Sequence, residues 1–283
     1  MHNMCYLLAI IAGVSGQAVL KKPYTQKNHG NGVYFFTALV SAAAMVFFAV
    51  TSSELQFNIV FMPYAVGFAA AYAVSSIFGV LAIAYGSLSL TSLCASYSLL
   101  IPTVYGLLFL GDPVSIGLIP GLVLLMLSLF LINKTGGTAK LSAKWILCVT
   151  ISFVGNGMCS VVQKMQQVAF DGAYKNTFMI VALAIVTVIM LLMSVWKDRR
   201  GIKQYMQTGW HRGILCGLLN GMVNLFVMIL SDRMPVSLMF PLISAGGLVL
   251  TYAVSKILYK EVLTKTQFVG FLLGLAAIIF LNL

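Results

Sequence analysis

Charge is scarce in this chain. Only 8% of its 283 residues are Asp, Glu, Lys or Arg, too few to coat the surface of a water-soluble domain, and only six are acids. Those acids, Glu54, Asp112, Asp171, Asp198, Asp232 and Glu261, all fall in predicted connections or at helix ends. A charged group in the middle of a bilayer costs at least about 2.5–3.5 kcal/mol and marks an ion or proton relay where it occurs. No carboxylate is expected there, which argues against a cation or proton exchanger built on a buried acid. The five cysteines, Cys5, Cys94, Cys148, Cys159 and Cys216, stand singly in apolar segments with no CxxC or Cys/His spacing, so neither a metal site nor a planned disulfide is expected. No HExxH or GxSxG occurs, and His2, His29 and His211 lie in connections or near helix termini, so no catalytic residue and no cofactor is expected and the chain does not read as an enzyme. No basic stripe with interleaved aromatics lies outside the apolar runs, which excludes nucleic acid as a partner despite the formal charge of +11. The N-terminal run lacks a preceding Lys or Arg and a small-residue cleavage site, so it is expected to be retained as a first helix.

What fills the chain instead is apolar sequence: 60% hydrophobic residues and a mean hydropathy of +1.00. At roughly 20 residues per crossing this length holds about ten spans and little else. They are expected at 4–20, 32–50, 59–84, 88–110, 114–133, 144–164, 175–196, 212–231, 236–259 and 265–282. The fold class is therefore an all-α integral membrane protein. Its second five spans echo the first five: Gly111–Asn133 aligns without a gap on Lys260–Asn282, pairing Asp112 with Glu261, Ser115 with Thr264, Gly121 with Gly270 and Asn133 with Asn282. Upstream, Ala38-Leu39-Val40 falls on Ala182-Leu183-Ala184 and Gly13 on Gly155. Five is odd, so the second unit enters the membrane upside down: two inverted five-helix repeats, residues 1–137 and 138–283, joined near Gly136-Gly137.

Local signals place several boundaries. Asp112-Pro113 reads as an N-cap followed by proline at the first helical position, and Thr264-Lys265-Thr266-Gln267 has capping-box spacing. Asp112 and Glu261 are thus expected to be structural acids at helix ends. Pro102, and Pro241 with Gly246-Gly247, are expected to interrupt the fourth and ninth spans. The glycines Gly213, Gly217 and Gly221, like Gly270 and Gly274, have the spacing of close helix contacts. The longest connections are expected at 21–31, 133–144, 166–176 and 197–209.

The stretch from Leu99 through Leu-Ile-Pro-Thr-Val-Tyr-Gly-Leu-Leu-Phe-Leu-Gly to Asp112-Pro113 resembles the fourth helix and Gly-acid turn of the ten-helix EamA-type branch of the drug/metabolite transporter superfamily, with Asp112 in place of the usual Glu and Glu261 in the second copy. The resemblance extends over essentially the whole chain. It implies two EamA-like repeats, a cavity between them, and a secondary carrier that exports or exchanges small organic metabolites, such as amino acids or drug-like amphipathic compounds, by alternating access. A flippase for lipid or lipid-linked sugar head groups is the alternative on the same scaffold. The implied partners are membrane lipid and a small-molecule substrate, the implied state a monomer or homodimer, and the implied location a bacterial plasma membrane.

Mid-span polar residues are the candidates for substrate binding, because amides and hydroxyls in hydrocarbon need a partner helix or a wetted cavity. They are Gln17, Tyr72, Ser75, Ser96, Tyr97, Asn156, Ser160, Asn220, Asn224 and Ser244, with Gln163 beside them. Asn220 and Asn224 share a helix face, and the repeat offset sets Asn220 opposite Ser75. Each also has a plainer role open to it, as interhelical glue. Lys164 and Lys256 are close enough to helix ends to snorkel to the interface, or to meet a substrate anion. The connections after spans 1, 5, 7 and 9, with the end of span 9, hold 14 of the 17 Lys and Arg residues. Positive-inside bias puts that face in the cytoplasm and both termini outside, whereas the resemblance implies cytoplasmic termini. A fluorescent protein fused after Leu283 that glows only in the cytoplasm separates the two: darkness is the outcome the charge tally predicts.

Overall fold

A computed structural model describes residues 2–52, 56–109, 116–133, 142–171, 173–199, 201–231, 236–260 and 262–280. Every regular element among them is helical: α1 (His2–Lys27), α2 (Val33–Thr51), α3 (Met62–Tyr85), α4 (Leu88–Ser96), α5 (Leu100–Phe109), α6 (Leu118–Asn133), α7 (Ala143–Ala169), α8 (Lys175–Lys197), α9 (Ile202–Ser231), α10 (Val236–Tyr259) and α11 (Lys265–Phe280). Each expected span has its element. Asn3–Lys27, Val33–Thr51, Ile59–Tyr85, Ala143–Ala169 and Lys175–Lys197 are long and apolar enough to cross a bilayer, and Ile243–Tyr259 and Lys265–Phe280 are shorter apolar helices. The expected caps Asp112 and Glu261, like Glu54 and Asp232, lie outside the described residues.

The fourth span is broken, as its proline suggests. Pro102 has no N–H to give the carbonyl four residues back, at Ser98, and the chain tightens to a 3-10 turn over Tyr97–Leu99 between α4 and α5. The ninth span corrects the expectation: α10 runs unbroken through Pro241 and the Gly pair. Gly246 there lies against Ile11, and the Gly247 carbonyl accepts from Ser15 Oγ at 3.1 Å, so these glycines seat α1 rather than break a helix. The tenth span starts as read. The Thr264 N–H donates to Gln267 Oε1 (3.1 Å) and the Gln267 N–H to Thr264 Oγ (3.3 Å), a reciprocal capping box.

Two boundaries differ from the hydropathy reading. α1 continues to Lys27 through Pro23, which leaves the Val19 carbonyl without its helical donor; Tyr259 Oη of α10 donates to it at 2.8 Å. α9 begins at Ile202, inside the expected connection, because its polar first turns have partners at the end of α1. Asn28 Nδ2 donates to Thr208 Oγ at 3.0 Å, and the Tyr24 ring lies against Gly209. Polar sequence reads as a loop when only solvent is considered; here neighbouring helix ends supply the bonds.

The internal repeat is visible in backbone conformation. His29 (φ 52°) and Gly32 (φ 73°) in the α1–α2 turn are left-handed, and so are Asp171 (φ 49°) and Tyr174 (φ 62°) in the α7–α8 turn, each pair 142 residues apart like Gly13 and Gly155. Buried side chains tie both turns from the same place, 142 residues apart: Tyr24 Oη donates to the Gly32 carbonyl (2.6 Å) and Gln166 Nε2 to the Ala173 carbonyl (2.8 Å). The two turns stand at opposite ends of the bundle. The first adjoins the start of α2, whereas in the second Tyr174 Oη accepts from Asn58 Nδ2 at 3.4 Å, beyond the far end of α2, about 28 Å away at 1.5 Å per residue. A repeated turn on opposite faces is what an inverted repeat requires.

Packing partners exchange in the same way. α1 packs on α9 and α10; its counterpart α7 packs on α3 and on the broken α4–α5 span. α2 and α8 pack on each other and on α9 and α3 respectively, and α6 pairs with α11. This defines two three-span groups, α1/α9/α10 and α7/α3/α4–α5, flanked by the remaining helices. The glycine spacings of α9 serve its packing on α2: Gly213 meets Leu39, Gly217 the Val40 carbonyl and Gly221 Phe47.

The connections that follow α1 and α8 meet at one face, called here the basic face. Asp198, following α8, accepts from the Phe35 N–H (3.2 Å), with Gly32 and Tyr34 amides also bonded to it, and so caps the N-terminus of α2 from the other half of the chain. Burial is the largest influence on this carboxyl and raises its pKa; the three amides pull it back only in part. Because the folded pKa lies above the unfolded one, the linked stability is complete below the ordinary carboxylate range and is lost as pH rises through the elevated value. Acidification through that window is expected to raise the melting temperature in detergent, and Asp198→Asn to flatten the dependence there.

Candidate functional site

The expected site residues sort into three sets. On the α1/α9 seam, α9 descends as α1 rises: Gly13 meets Leu219 and Val223, Gln17 meets Asn220, and Tyr24 meets Gly209. Asn220 Nδ2 donates to Gln17 Oε1 at 3.1 Å, and Asn224 Nδ2 donates to the Asn220 carbonyl (2.8 Å) and to its Oδ1 (3.3 Å). Three amides thus form a hydrogen-bonded chain at the heart of one three-span group. Gln17 is buried, while Asn220 and Asn224 are half-buried and still exposed in part.

In the other group Asn156 of α7 is exposed, and its Nδ2 donates to Ser98 Oγ at 2.6 Å. Ser98 belongs to the 3-10 break of the fourth span, so the break delivers a hydroxyl that a continuous helix would have turned elsewhere. Ser160 Oγ sits one turn on and donates to the Asn156 carbonyl at 3.5 Å. Tyr72 of α3 stacks on Phe68 at 5.9 Å and hydrogen-bonds Ser76.

The third set binds helices together. Ser75 Oγ donates to the Ser152 carbonyl (3.3 Å) and Ser152 Oγ to the Ser75 carbonyl (3.1 Å), a reciprocal clasp of α3 on α7 beside Gly155. Ser96 Oγ bonds back to the Ser92 carbonyl at 2.9 Å. Tyr97 is 3% exposed; its hydroxyl pairs with Ser128 Oγ (3.0 Å), which donates to the Gly270 carbonyl (2.7 Å), joining the fourth span to α6 and α11. Ser244 is buried in α10.

Packing corrects the register that set Asn220 opposite Ser75. Gly13 lies against Leu219 and Val223, and its mate Gly155 against Ala71 and Ser75, so α3 and α9 correspond at a spacing of 148. Ser75 then matches Val223, Tyr72 matches Asn220 and Ser76 matches Asn224. Each matched pair, Tyr72 with Ser76 and Asn220 with Asn224, is internally hydrogen-bonded. Sparse identities hid this spacing, since connection lengths change it from 142 in the first spans to 149 in the last.

Where the two groups meet, the two faces differ. α1 packs on α3 and on α4, whereas the mates of these contacts, α7 with α9 and with α10, pack at most marginally among the described residues. Two sets of bonds that cross from group to group lie toward the basic face. Lys22 Nζ of α1 donates to the Gly86 (2.9 Å) and Ile83 (3.3 Å) carbonyls at the end of α3, and the Ser89 and Ser255 hydroxyls of α4 and α10 are 2.6 Å apart. Neither Lys22 nor Ser98 was singled out from sequence, although the spacing of 142 that links Gly13 to Gly155 also links Lys22 to Lys164.

A helical protein of many membrane passes, in two packed three-span groups that meet at one face, has the build of a membrane carrier. Residues 143–283, the second half of the chain, match the EamA-like transporter family of the drug/metabolite transporter superfamily, and the chain belongs to that family. It is accordingly a multi-pass membrane transporter of this type. A solved crystal structure of a protein aligns over 96% of this chain and 95% of its own with a TM-score of 0.58 at 13% identity, which speaks to the fold alone. No curated protein matches the chain.

Proposed function

We propose that the protein moves small organic solutes across a bacterial plasma membrane by rocking the α1/α9/α10 group against the α7/α3/α4–α5 group, as an exporter or exchanger. The observation that carries this reading is the asymmetry between the faces: among the described residues, contacts present between the groups at the basic face have at most marginal equivalents between their symmetry mates. A pseudo-symmetric protein resting in an asymmetric state has a mirror state of similar energy, and exchange between the two is alternating access. The match to the EamA-like family over one unit of the chain supports division into the repeats 1–137 and 138–283.

Substrate contacts are assigned to Gln17, Asn220 and Asn224 on one group and Tyr72, Asn156 and Ser160 on the other. All are neutral hydrogen-bonding groups, which suits amino acids or polar amphipathic compounds whose own charges are compensated. Ser75, Ser96 and Tyr97 hold helices in place around them. The protein works surrounded by lipid, as a monomer or homodimer, with a small-molecule substrate and without a cofactor.

Purified protein screened by thermal shift against amino acids, nucleosides, sugars and lipid head groups identifies the substrate class, because a ligand stabilises only the state it binds. With a hit in hand, Asn220→Leu and Asn156→Leu are each expected to weaken binding by about tenfold, the loss of roughly one hydrogen bond of 0.5–1.5 kcal/mol or slightly more, with near-normal expression. Unchanged affinity in both variants would remove the amides from the site.

A further inference from the structure

Four of the 17 Lys and Arg residues stand between Trp196 and Gly209, where α8 ends and α9 begins. The connection from α2 to α3, residues 52–61, is its counterpart in the repeat and holds none, so the fold of the turn does not demand the charge. The sole acid in 195–212 is Asp198, and its carboxylate is turned inward onto the first amides of α2. Lys197, Arg199 and Lys203 are all exposed, which leaves the outer surface positive. Exposure along the two helices is also ordered. On α9, Lys203, Gln207, Trp210, Ile214 and Leu218 share one face by their spacing and are all exposed, passing from cation through aromatic ring to aliphatic chain. On α8 the order is reversed with the chain direction: Val188, Leu192 and Val195 come first, then Trp196, Lys197 and Arg199, all exposed. Trp196 is 73% and Trp210 53% exposed, and tryptophan collects at the boundary between acyl chains and head groups. Lys203 lies two helical turns from Trp210, about 10 Å along the axis. The head-group layer is about 5–8 Å deep on each side, so with the ring at the boundary the lysine stem reaches phosphate depth. The Lys197 ammonium lies 5.3 Å from the centre of the Trp196 ring, which sets a cation beside the other boundary anchor. Both helices pack on α2, Asp198 at Phe35 and Gly213 at Leu39, so the two stripes flank the same stretch of α2.

We infer that this surface seats an anionic phospholipid. Lys197, Arg199 and Lys203 hold its phosphate, Trp196 and Trp210 mark the level of its glycerol backbone, and its acyl chains lie along the aliphatic parts of the two stripes. Charge selects the occupant: a zwitterionic head group brings an ammonium onto a positive surface, whereas an anionic one brings phosphate without a cation. The ordered stripes commit the seat to a lipid over a free phosphate, because an ion in water gains nothing from exposed aliphatic side chains below the cations. The seat lies outside the amide site and holds whether or not the two groups rock.

The test uses the full-length protein in detergent, with phosphatidylglycerol and phosphatidylcholine of identical acyl chains as probes and bound lipid read by native mass spectrometry. The parent is expected to hold phosphatidylglycerol about tenfold more tightly than phosphatidylcholine. Combining Lys197→Gln, Arg199→Gln and Lys203→Gln is expected to bring that ratio close to one. Lys197→Arg with Lys203→Arg should keep the preference, and so should Lys175→Gln, which removes a cation where α8 begins, at the opposite face. Equal binding of the two lipids by the parent, or a preference that survives the triple glutamine change, overturns the proposal. Displacement of phosphatidylglycerol by a modest excess of inorganic phosphate overturns it as well, since that marks an ion site with no use for acyl chains. Should the triple variant fail to fold, the salt response of the parent decides: a preference lost at high salt supports the seat, and one that persists overturns it, because attraction at an exposed surface is screened.

Discussion

Oxidation of a Ser89→Cys, Ser255→Cys double variant is expected to abolish substrate uptake into proteoliposomes, and a reductant to restore it. The two hydroxyls lie 2.6 Å apart on α4 and α10, at 1% and 0% exposure, so cysteines there stand within reach of a disulfide across the two three-span groups. On the proposed rocking mechanism the groups part at the basic face in each cycle, and a covalent bond between them prevents it. Four native cysteines are buried and do not compete; Cys5 is exposed and is replaced by serine to prevent cross-linking between molecules. Each single-cysteine variant should keep its activity under oxidant. Parent-level uptake by protein shown by mass to be fully cross-linked would refute rocking of one group on the other.

Gly217→Ala should be the most damaging single methyl group in the protein's glycine seams. A Cβ at Gly217 runs into the Val40 carbonyl of α2, a backbone atom that no side-chain rotation can move aside. Relief requires separating α2 from α9, at a cost of about 1–3 kcal/mol for overpacking and more if the seam opens along its length. Gly67→Ala is the control, since its Cβ would find only Val162 methyls at 3.8 Å, ordinary contact. The expected result is a sharp fall in monodisperse yield and melting temperature for Gly217→Ala, with Gly67→Ala near the parent. Equal behaviour of the two would show that α2 and α9 do not pack as described.

What the sequence disclosed depended on whether the signal was local. The Thr264–Gln267 box needs only its own four residues, and it forms as spelled out. The Pro102 break is local too. The ends of α1 and α9 were not legible, because their polar residues are satisfied across the fold, Asn28 by Thr208 and the Val19 carbonyl by Tyr259. Among the mid-span polar residues, composition requires partners but says nothing of which. Tyr97 and Asn156 look alike in that respect, yet Tyr97 is locked onto Ser128 while Asn156 remains exposed. Lys22 was overlooked because a lysine at a helix end is ordinarily assigned to the interface, and only the α3 terminus shows why this one is buried.

The exchange of packing partners between the halves also bears on how the protein is made. α2 rests mainly on α8 and α9, and α3 mainly on α7, so the first half leaves the ribosome with its closest neighbours still untranslated. At 5–20 residues per second the wait lasts roughly 10–30 s. During it Ser41 of α2 lacks the Thr187 hydroxyl that later donates to it at 2.9 Å, and Ser75 lacks Ser152. Lipid offers neither residue a hydrogen bond, so the newborn half-protein displays polar, glycine-matched faces to the insertion machinery and to membrane proteases. Its survival is then a matter of synthesis rate: slowing translation of the second half should lower yield even with no residue changed.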